Sequence, residues 1–177
     1  MNAGSWYFLM LSAYNIPEVN SYMWKKIKPY AISILIAFAV GGIAALLTKN
    51  SMSMYNEIQK PALAPPGWIF PVAWSILYTL MGISSAMVYV KSQGNILGNG
   101  IGYYVLSLVF NFFWTIIFFN LRMFLLSFIW LIILWLLILG TISGYSKISK
   151  KAAFLQIPYL LWVSFAGYLN FMIYILN

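Results

Sequence analysis

The side chains of this sequence with the most capacity for chemistry are tryptophan and tyrosine rings, which concentrate in two segments. Residues 65–78 read PPGWIFPVAWSILY, and residues 158–166 read PYLLWVSFA. Flat aromatic ligands bind by stacking on such rings, while a few polar groups fix their orientation. In the first segment Phe70, Trp74 and Tyr78 recur at intervals of four. This spacing predicts that three rings line one face of a helix.

The second segment begins a mixed stripe of side chains at intervals of four: Pro158, Trp162, Ala166 and Asn170. Two interpretations of this stripe stay open. It forms a seam between helices in which the indole N–H is satisfied, or it forms a pocket wall. In the second case Ala166 leaves room for a flat ligand that stacks on Trp162.

Asn111 is a further candidate, because it lies near the middle of an apolar stretch with Trp114 one turn along. A side-chain amide in hydrocarbon must find a partner or face a cavity. Hydrogen bonding between helices and contact with a ligand both explain Asn111. For Asn170, hydrogen bonding between helices is the favoured interpretation.

Composition excludes most other chemistry. The chain of 177 residues is 63% hydrophobic and 7% charged, contains neither cysteine nor histidine, and has Glu18 and Glu57 as its only acids. We therefore expect no disulfide, no thiolate nucleophile, no metal site and no conventional acid–base catalysis. The net charge of +8 comes mainly from lysines that flank apolar runs. Lipid headgroups are their expected counterions, and no nucleic acid partner is expected.

Helices that cross a membrane must position the rings. Five apolar stretches are long enough to do so, at residues 29–48, 69–90, 100–120, 123–145 and 152–176. The sequence thus predicts an all-α integral membrane protein, a bundle of five transmembrane helices within residues 23–177. We interpret residues 1–22 as an added or poorly ordered N-terminal extension. Residues 49–67, stiffened by prolines, are predicted to form a lid over an aromatic-lined opening.

Basic residues are unevenly divided between the two sides of the membrane. Lys49, Lys60 and Arg122 fall on the side of the predicted lid. The opposite side carries seven: Lys25, Lys26, Lys28, Lys91, Lys147, Lys150 and Lys151. The positive-inside rule then predicts a cytoplasmic N-terminus and an external C-terminus.

Small residues recur at intervals of four in two of the predicted spans. The first span carries Ala37, Gly41 and Ala45, and the fourth carries Gly140 and Gly144. Such stripes let helix backbones approach closely in a membrane. Packing within the chain is favoured over contact with a second copy.

The sequence also resembles a known family. Residues 60–82, KPALAPPGWIFPVAWSILYTLMG, are similar to the motif of the TspO/translocator protein family, the tryptophan-rich sensory proteins also called peripheral benzodiazepine receptors. Further matches are Asn111 with Trp114, the run FFNLR at 118–122, and PYLLWVSFA continuing to Asn170 and Asn177. The resemblance covers the chain from about Pro29 onward.

This resemblance implies a five-helix bundle, usually a homodimer, with a pocket that opens toward the first loop. In the family the pocket accepts porphyrins, benzodiazepine-type and isoquinoline drugs, and sterols in mitochondrial members. By position, the ligand-binding residues are Tyr55, Trp74, Tyr78, Asn111, Trp114, Trp162 and Ala166. The residues of the lid and mouth are Lys49, Lys60, Pro65, Pro66 and Trp68, where the lysines are available to porphyrin propionates.

Four positions depart from the family pattern. Met54 stands where tryptophan often precedes Tyr55, and Leu63 stands where an aromatic residue often follows Lys-Pro. Tyr174 and Ile175 replace residues of the animal sterol motif. A bacterial-type member in the cell membrane, without sterol transport, is therefore expected.

Three functions follow from the resemblance. The first is a receptor for metal-free protoporphyrin IX, which needs no cofactor; the missing histidine and cysteine remove the commonest protein ligands of haem iron. The second is light-dependent porphyrin degradation, in which Trp74 and Trp162 would be the reactive residues. The third is passive transport of tetrapyrroles or other small hydrophobic solutes; an ion-coupled pump is not expected, because the spans contain no acid.

Overall fold

A computed structural model describes residues 16–51, 53–96 and 98–177, and the regular structure in these ranges is helical. The α-helices are α1 (Ile16–Thr48), α2 (Met54–Glu57), α3 (Ile69–Lys91), α4 (Ile101–Thr115), α5 (Phe124–Ile148), α6 (Lys150–Leu155) and α7 (Ile157–Leu176). A 3₁₀ turn, Lys49–Ser51, follows α1, and a π-helical turn, Ile116–Asn120, extends α4. Five helical units are long and apolar enough to cross a membrane: Trp24–Ser51, Ile69–Lys91, Ile101–Asn120, Phe124–Ile148 and Lys150–Leu176. The predicted bundle of five transmembrane helices is confirmed.

The first helix is longer than the predicted span. It begins at Ile16 and runs through Pro29, where the predicted span starts. Proline removes one helical hydrogen bond, to the carbonyl of Lys25, and Lys25 lies on an exposed turn. Residues 16–22, which are assigned to the predicted N-terminal extension, form the beginning of α1. Residues 1–15 lie outside the described residues.

The last span is interrupted, whereas the sequence predicts one unbroken segment. α6 ends at Leu155, and α7 begins at Ile157 with Pro158 in its first turn. Pro158 has no N–H to donate to the carbonyl of Phe154, so one helical hydrogen bond is missing at this point. Gln156 occupies the break and is fully buried.

The long helices form a ring in the order α3, α1, α4, α5, α7. The contact that closes the ring, between α3 and the last span, differs from the others. On this side α3 packs mainly on the short α6 and contacts α7 little. We call the end of the bundle that carries Lys91, Lys147, Lys150 and Lys151 the basic end, and the end covered by residues 49–67 the loop end. The junction of α3 and α7 is thus held at the basic end and loosely packed toward the loop end.

The glycines of both stripes face neighbours within the chain, whereas Ala45 of the first stripe is exposed. A Cβ atom added at Gly144 would lie 2.5 Å from the Cα atom of Gly100, so α5 packs directly on the backbone that precedes α4. A Cβ atom added at Gly41 would lie 2.2 Å from the ring of Tyr78. These glycines are required by close packing inside one bundle.

Candidate ligand site at the loop end

The loop that follows α1 is fastened to itself by Tyr55. This residue lies on the short helix α2, is buried, and donates a hydrogen bond from its hydroxyl to the carbonyl oxygen of Pro65 at 3.1 Å. The Nζ atom of Lys60 lies 4.6 Å from the centroid of the Tyr55 ring, a cation–π contact. Burial raises the pKa of the Tyr55 hydroxyl. The proline-rich part of the loop is therefore folded back onto α2.

A second attachment joins this loop to the end of α7. The side-chain oxygen of Asn177 accepts a hydrogen bond from the backbone N–H of Gln59 at 3.0 Å, and the side-chain nitrogen donates to the Gln59 carbonyl at 3.0 Å. The same nitrogen also donates to the carbonyl of Ile173 at 2.9 Å. The amide thereby pairs with one loop residue in both directions and holds the loop over the bundle.

A continuous series of rings runs from this loop toward the middle of the bundle. Tyr55 meets Phe70 edge-to-face at 5.4 Å between ring centroids, and Phe70 meets Trp162 at 6.1 Å. Trp162 lies 6.4 Å from Trp74, which stacks on Tyr78 at 5.2 Å. These separations are those of favourable aromatic pairs. The structure therefore joins four of the predicted site residues through Phe70, which the predicted site did not include.

The two central indoles come from different helices. Trp74 belongs to α3 and Trp162 to α7, and both side chains are half-buried. They meet edge-to-face across the junction at which α3 and α7 are loosely packed. A flat molecule that enters between these helices would meet both rings.

Asn111 is engaged with a neighbouring helix. Its side-chain nitrogen donates a hydrogen bond to the hydroxyl oxygen of Tyr78 at 3.1 Å, and both residues are buried. Phe38 of α1 packs on the other side of Tyr78, at 5.8 Å between ring centroids. Asn111 thus fixes the last ring of the series. This contact corresponds to the first interpretation of Asn111, hydrogen bonding between helices.

Trp114 and Asn170 form a separate polar contact. The side-chain oxygen of Asn170 accepts hydrogen bonds from the indole N–H of Trp114 at 3.1 Å and from the hydroxyl of Ser127 at 2.8 Å. Its nitrogen donates to the carbonyl of Phe124 at 2.8 Å. Asn170 therefore links α4, α5 and α7, as the favoured interpretation of this residue expected.

The space beneath the loop is small. A cavity of about 30 Å³ lies there, lined by Tyr55, Phe70, Trp114, Phe118, Phe119, Ala166, Leu169, Asn170 and Ile173. Ala166, Tyr55 and Trp114 do share this cavity, as the predicted site requires. A volume of this size has room for no more than a few water molecules, so a larger ligand must separate the rings.

The remaining lid residues have different positions. Trp68 is 67% exposed, in keeping with an interfacial anchor, and Lys49 is exposed in the 3₁₀ turn. The carbonyl oxygen of Pro66 accepts a hydrogen bond from the backbone N–H of Ile69 at 3.0 Å, at the first residue of α3. Tyr159 was not among the predicted site residues, yet its ring lies 6.2 Å from that of Trp74. The sequence feature that could have indicated Tyr159 is its position within one helical turn of Trp162.

Comparison with known proteins agrees with this architecture. The model of the TspO/MBR family matches residues 33–176. A tryptophan-rich protein TspO of Chlorobaculum tepidum is 36% identical over 160 residues, which cover 88% of this chain and 99% of that protein. Protein CrtK of Rhodobacter capsulatus is 33% identical over 149 residues, covering 84% and 92%.

The similarity extends to animal proteins. The translocator protein of Bos taurus is 30% identical over 146 residues, which cover 80% of this chain and 86% of that protein. The residues matched by the family model, 33–176, include most of the first membrane-spanning segment, the other four segments and the loop that carries Tyr55. The chain belongs to the TspO/MBR family of integral membrane proteins.

Proposed function

We propose that this chain is a membrane receptor that binds protoporphyrin IX, and other flat hydrophobic ligands such as benzodiazepine-type drugs, between α3 and α7 beneath the loop. Membership of the TspO/MBR family supports a receptor or binding role. The observation that carries the finer proposal is the series of rings from Tyr55 to Tyr78, which crosses the loosely packed junction of α3 and α7. Stacking on such rings is how proteins hold flat aromatic ligands.

Binding requires the site to open, because the cavity of about 30 Å³ is far smaller than a porphyrin. Two parts of the site are suited to open. The hydrogen bonds between Gln59 of the loop and the end of α7 come from one side chain, Asn177, which is exposed. The junction of α3 and α7 has few direct contacts. Displacing the loop and parting Trp74 from Trp162 would create a slot between two indoles.

Charge near the loop gives the ligand an orientation. Lys60 lies over the Tyr55 ring, at the start of the series, and Lys49 lies at the other end of the loop. The propionates of a porphyrin would pair with these lysines while the macrocycle enters between the helices. The proposed membrane is the bacterial cell membrane, with the loop end outside, as the distribution of basic residues predicts.

Quenching of intrinsic fluorescence tests the proposal. Protoporphyrin IX is titrated into the purified protein, and saturable quenching at micromolar concentrations is expected. Trp162→Phe should weaken binding by about tenfold, because one stacking indole is lost. Trp24→Phe is the matched control, since Trp24 is 67% exposed on α1 and lies outside the series. Wild-type quenching that never saturates would contradict the proposal.

Light-dependent degradation is a second candidate, favoured by the pair of indoles 6.4 Å apart across the junction. An indole next to an excited porphyrin donates an electron or reacts with singlet oxygen. Illumination of the bound complex should then remove the porphyrin absorbance band faster than in detergent alone. The double variant Trp74→Phe, Trp162→Phe should bleach at the rate of the free porphyrin. Equal bleaching with and without wild-type protein would exclude this activity.

A further inference from the structure

The core that extends from the middle of the bundle toward the basic end contains four tyrosines, one from each of four helices. They are Tyr78 of α3, Tyr104 of α4, Tyr145 of α5 and Tyr159 of α7, which we call the tyrosine cluster. All four are buried, and Tyr145 and Tyr159 are 0% and 1% exposed. The rings of Tyr104 and Tyr145 lie 6.4 Å apart, and Tyr159 approaches Trp74 at 6.2 Å. An apolar membrane bundle has no packing need for four buried hydroxyls.

Polar atoms in and around this cluster lack hydrogen-bond partners in the described part of the chain. They are the hydroxyls of Tyr104, Tyr145 and Tyr159, the side-chain oxygen of Asn111 and the side-chain oxygen of Gln156. Ser107 lies within reach of the Tyr159 hydroxyl and Ser85 within reach of the Tyr145 hydroxyl, but neither pair has the distance and angle of a full hydrogen bond. Nearly all buried polar groups in native proteins are satisfied, if not by protein then by ordered water.

The chemistry of these atoms specifies what would satisfy them. Three are phenolic hydroxyls, which donate and accept, and two are amide oxygens, which only accept. None of these side chains is charged. A partner must therefore be neutral, small, and able to donate and accept at once. Water has these properties.

We propose that the tyrosine cluster, with Asn111 and Gln156, is an internal hydration site in which a chain of ordered waters bridges the unpartnered atoms. The waters donate to the two amide oxygens and accept from the phenolic hydroxyls. Tyr78 belongs to both proposals, but the unpartnered atoms lie outside the ring series, and this inference stands without the porphyrin proposal.

The proposed waters have a polar connection to the basic end. The side-chain nitrogen of Gln156 donates to the hydroxyl oxygen of Ser84 at 3.2 Å, and that hydroxyl donates to the carbonyl of Ala152 at 2.7 Å. Ala152 belongs to the first turn of α6, which is capped by Ser149. The Nζ atom of Lys91 donates to the Ser149 hydroxyl at 3.4 Å. A line of polar groups therefore leads from the proposed waters to the basic end.

In the other direction the hydration site reaches the ring series. Asn111 offers its oxygen to the proposed waters and its nitrogen to the hydroxyl of Tyr78. Tyr78 in turn stacks on Trp74. The proposed waters would thus link the deepest ring of the series to the polar groups at the basic end.

X-ray hydroxyl-radical labelling in heavy-oxygen water tests this inference, because radicals formed from bound water label adjacent side chains even when these are buried. Tyr145 and Tyr159 should incorporate heavy oxygen several-fold faster than Leu134, after correction for intrinsic reactivity. Leu134 is the control because it is equally hidden, at 0% exposed, and has no polar side-chain atom. Labelling of both tyrosines at the rate of Leu134 would overturn the proposal.

The sign of a stability change gives a second test. Removing a hydroxyl that bonds to water destabilises the protein, so Tyr145→Phe and Tyr159→Phe should each lower Tm. A dry, unpartnered hydroxyl is unfavourable, and its removal would raise Tm. Tyr103→Phe is the control, since Tyr103 is 53% exposed on the outer surface of α4, and no change is expected there. A rise in Tm for both cluster variants would also overturn the proposal.

Discussion

The loop half and the basic half of this bundle both bury polar side chains, but they satisfy them differently. In the loop half, Asn170 uses both its oxygen and its nitrogen in hydrogen bonds to protein atoms. In the basic half, Tyr104, Tyr145 and Tyr159 have no partner among the described residues. In the loop half, protein atoms satisfy the hydrogen bonds of Asn170. In the basic half, buried polar atoms require a partner beyond the described residues.

This contrast separates two roles for aromatic residues. In the loop half, rings pack on rings, and their edges meet at a helix junction that few contacts hold. Such a region can exchange one stacking partner for another, which suits a flat apolar guest. In the basic half, the rings carry hydroxyls whose hydrogen bonds demand a polar guest. One small bundle thus offers an apolar and a polar environment on the two sides of Tyr78.

Of the substitutions considered, Gly144→Ala should destabilise the protein most, and it acts in the basic half. A Cβ atom here would lie 2.5 Å from the Cα atom of Gly100, and a backbone cannot step aside as a flexible side chain can. We expect a loss of about 3 kcal/mol in the free energy of unfolding, as for an overpacked core. Thermal denaturation in detergent measures it.

Gly167→Ala is the matched control for this change. Gly167 is also a helical glycine, but a Cβ atom there would meet no atom within 4 Å. Because alanine favours a helix over glycine, this variant should be unchanged or stabilised by up to about 1 kcal/mol. Equal Tm values for the two variants would contradict the close packing of α5 on Gly100.

Asn170→Ala should have the next largest effect, in the loop half. It would leave the indole N–H of Trp114 and the carbonyl of Phe124 without these partners. Leaving buried polar groups unsatisfied should cost about 2 kcal/mol. Asn120→Ala is the control, because the one hydrogen bond of that side chain, to the carbonyl of Leu47, is exposed. A loss no larger than that of the control would show that water replaces Asn170.

Much of this architecture could be predicted from residue order alone, because the length of an apolar run is a one-dimensional property. The five spans follow from it, and the line of Phe70, Trp74 and Tyr78 follows from the spacing of residues on one helix. The break at Gln156 was not predicted. Pro158 allows either a kink or a helix start, and packing of α6 against α3 decides between them.

Contacts between helices were harder to predict, because they depend on the rotation of each helix in the bundle. The resemblance to the family grouped Asn111 with Trp114, yet Asn111 bonds to Tyr78 and Trp114 bonds to Asn170. The tyrosine cluster had only a weak signal, namely tyrosines inside apolar stretches. Nothing in their spacing indicates that Tyr104 and Tyr145 approach one another across two helices.

Asn177→Ala should loosen the loop with a smaller effect. The variant removes both hydrogen bonds to Gln59, which are exposed and so contribute about 1 kcal/mol together. Amide hydrogen exchange of residues 55–66 should become about fivefold faster as local opening becomes easier. Exchange in α4 should be unaffected, which makes it an internal reference. Unchanged exchange at the loop would mean that Tyr55 alone holds it closed.

The smallest expected effect is a loss of loop order at alkaline pH. Burial raises the pKa of Tyr55 above its usual value of about 10, because the charged phenolate is disfavoured in a buried position. When the loop opens, Tyr55 is exposed and its pKa returns to that usual value, so the open form loses the proton first. The stability of the closed loop is therefore complete below pH of about 10 and is lost as the pH rises through the raised pKa.

Tyr55→Phe isolates this effect from the titration of nearby lysines. The variant keeps the ring contact with Phe70 and the position of Lys60, but it has no proton to lose and no hydrogen bond to Pro65. Exchange of residues 55–66 should rise with alkaline pH more steeply in the wild type than in this variant, once intrinsic exchange is corrected. Parallel profiles would mean that the hydroxyl stays in contact with water, and the loop would then be a looser cover than the hydrogen bond to Pro65 implies.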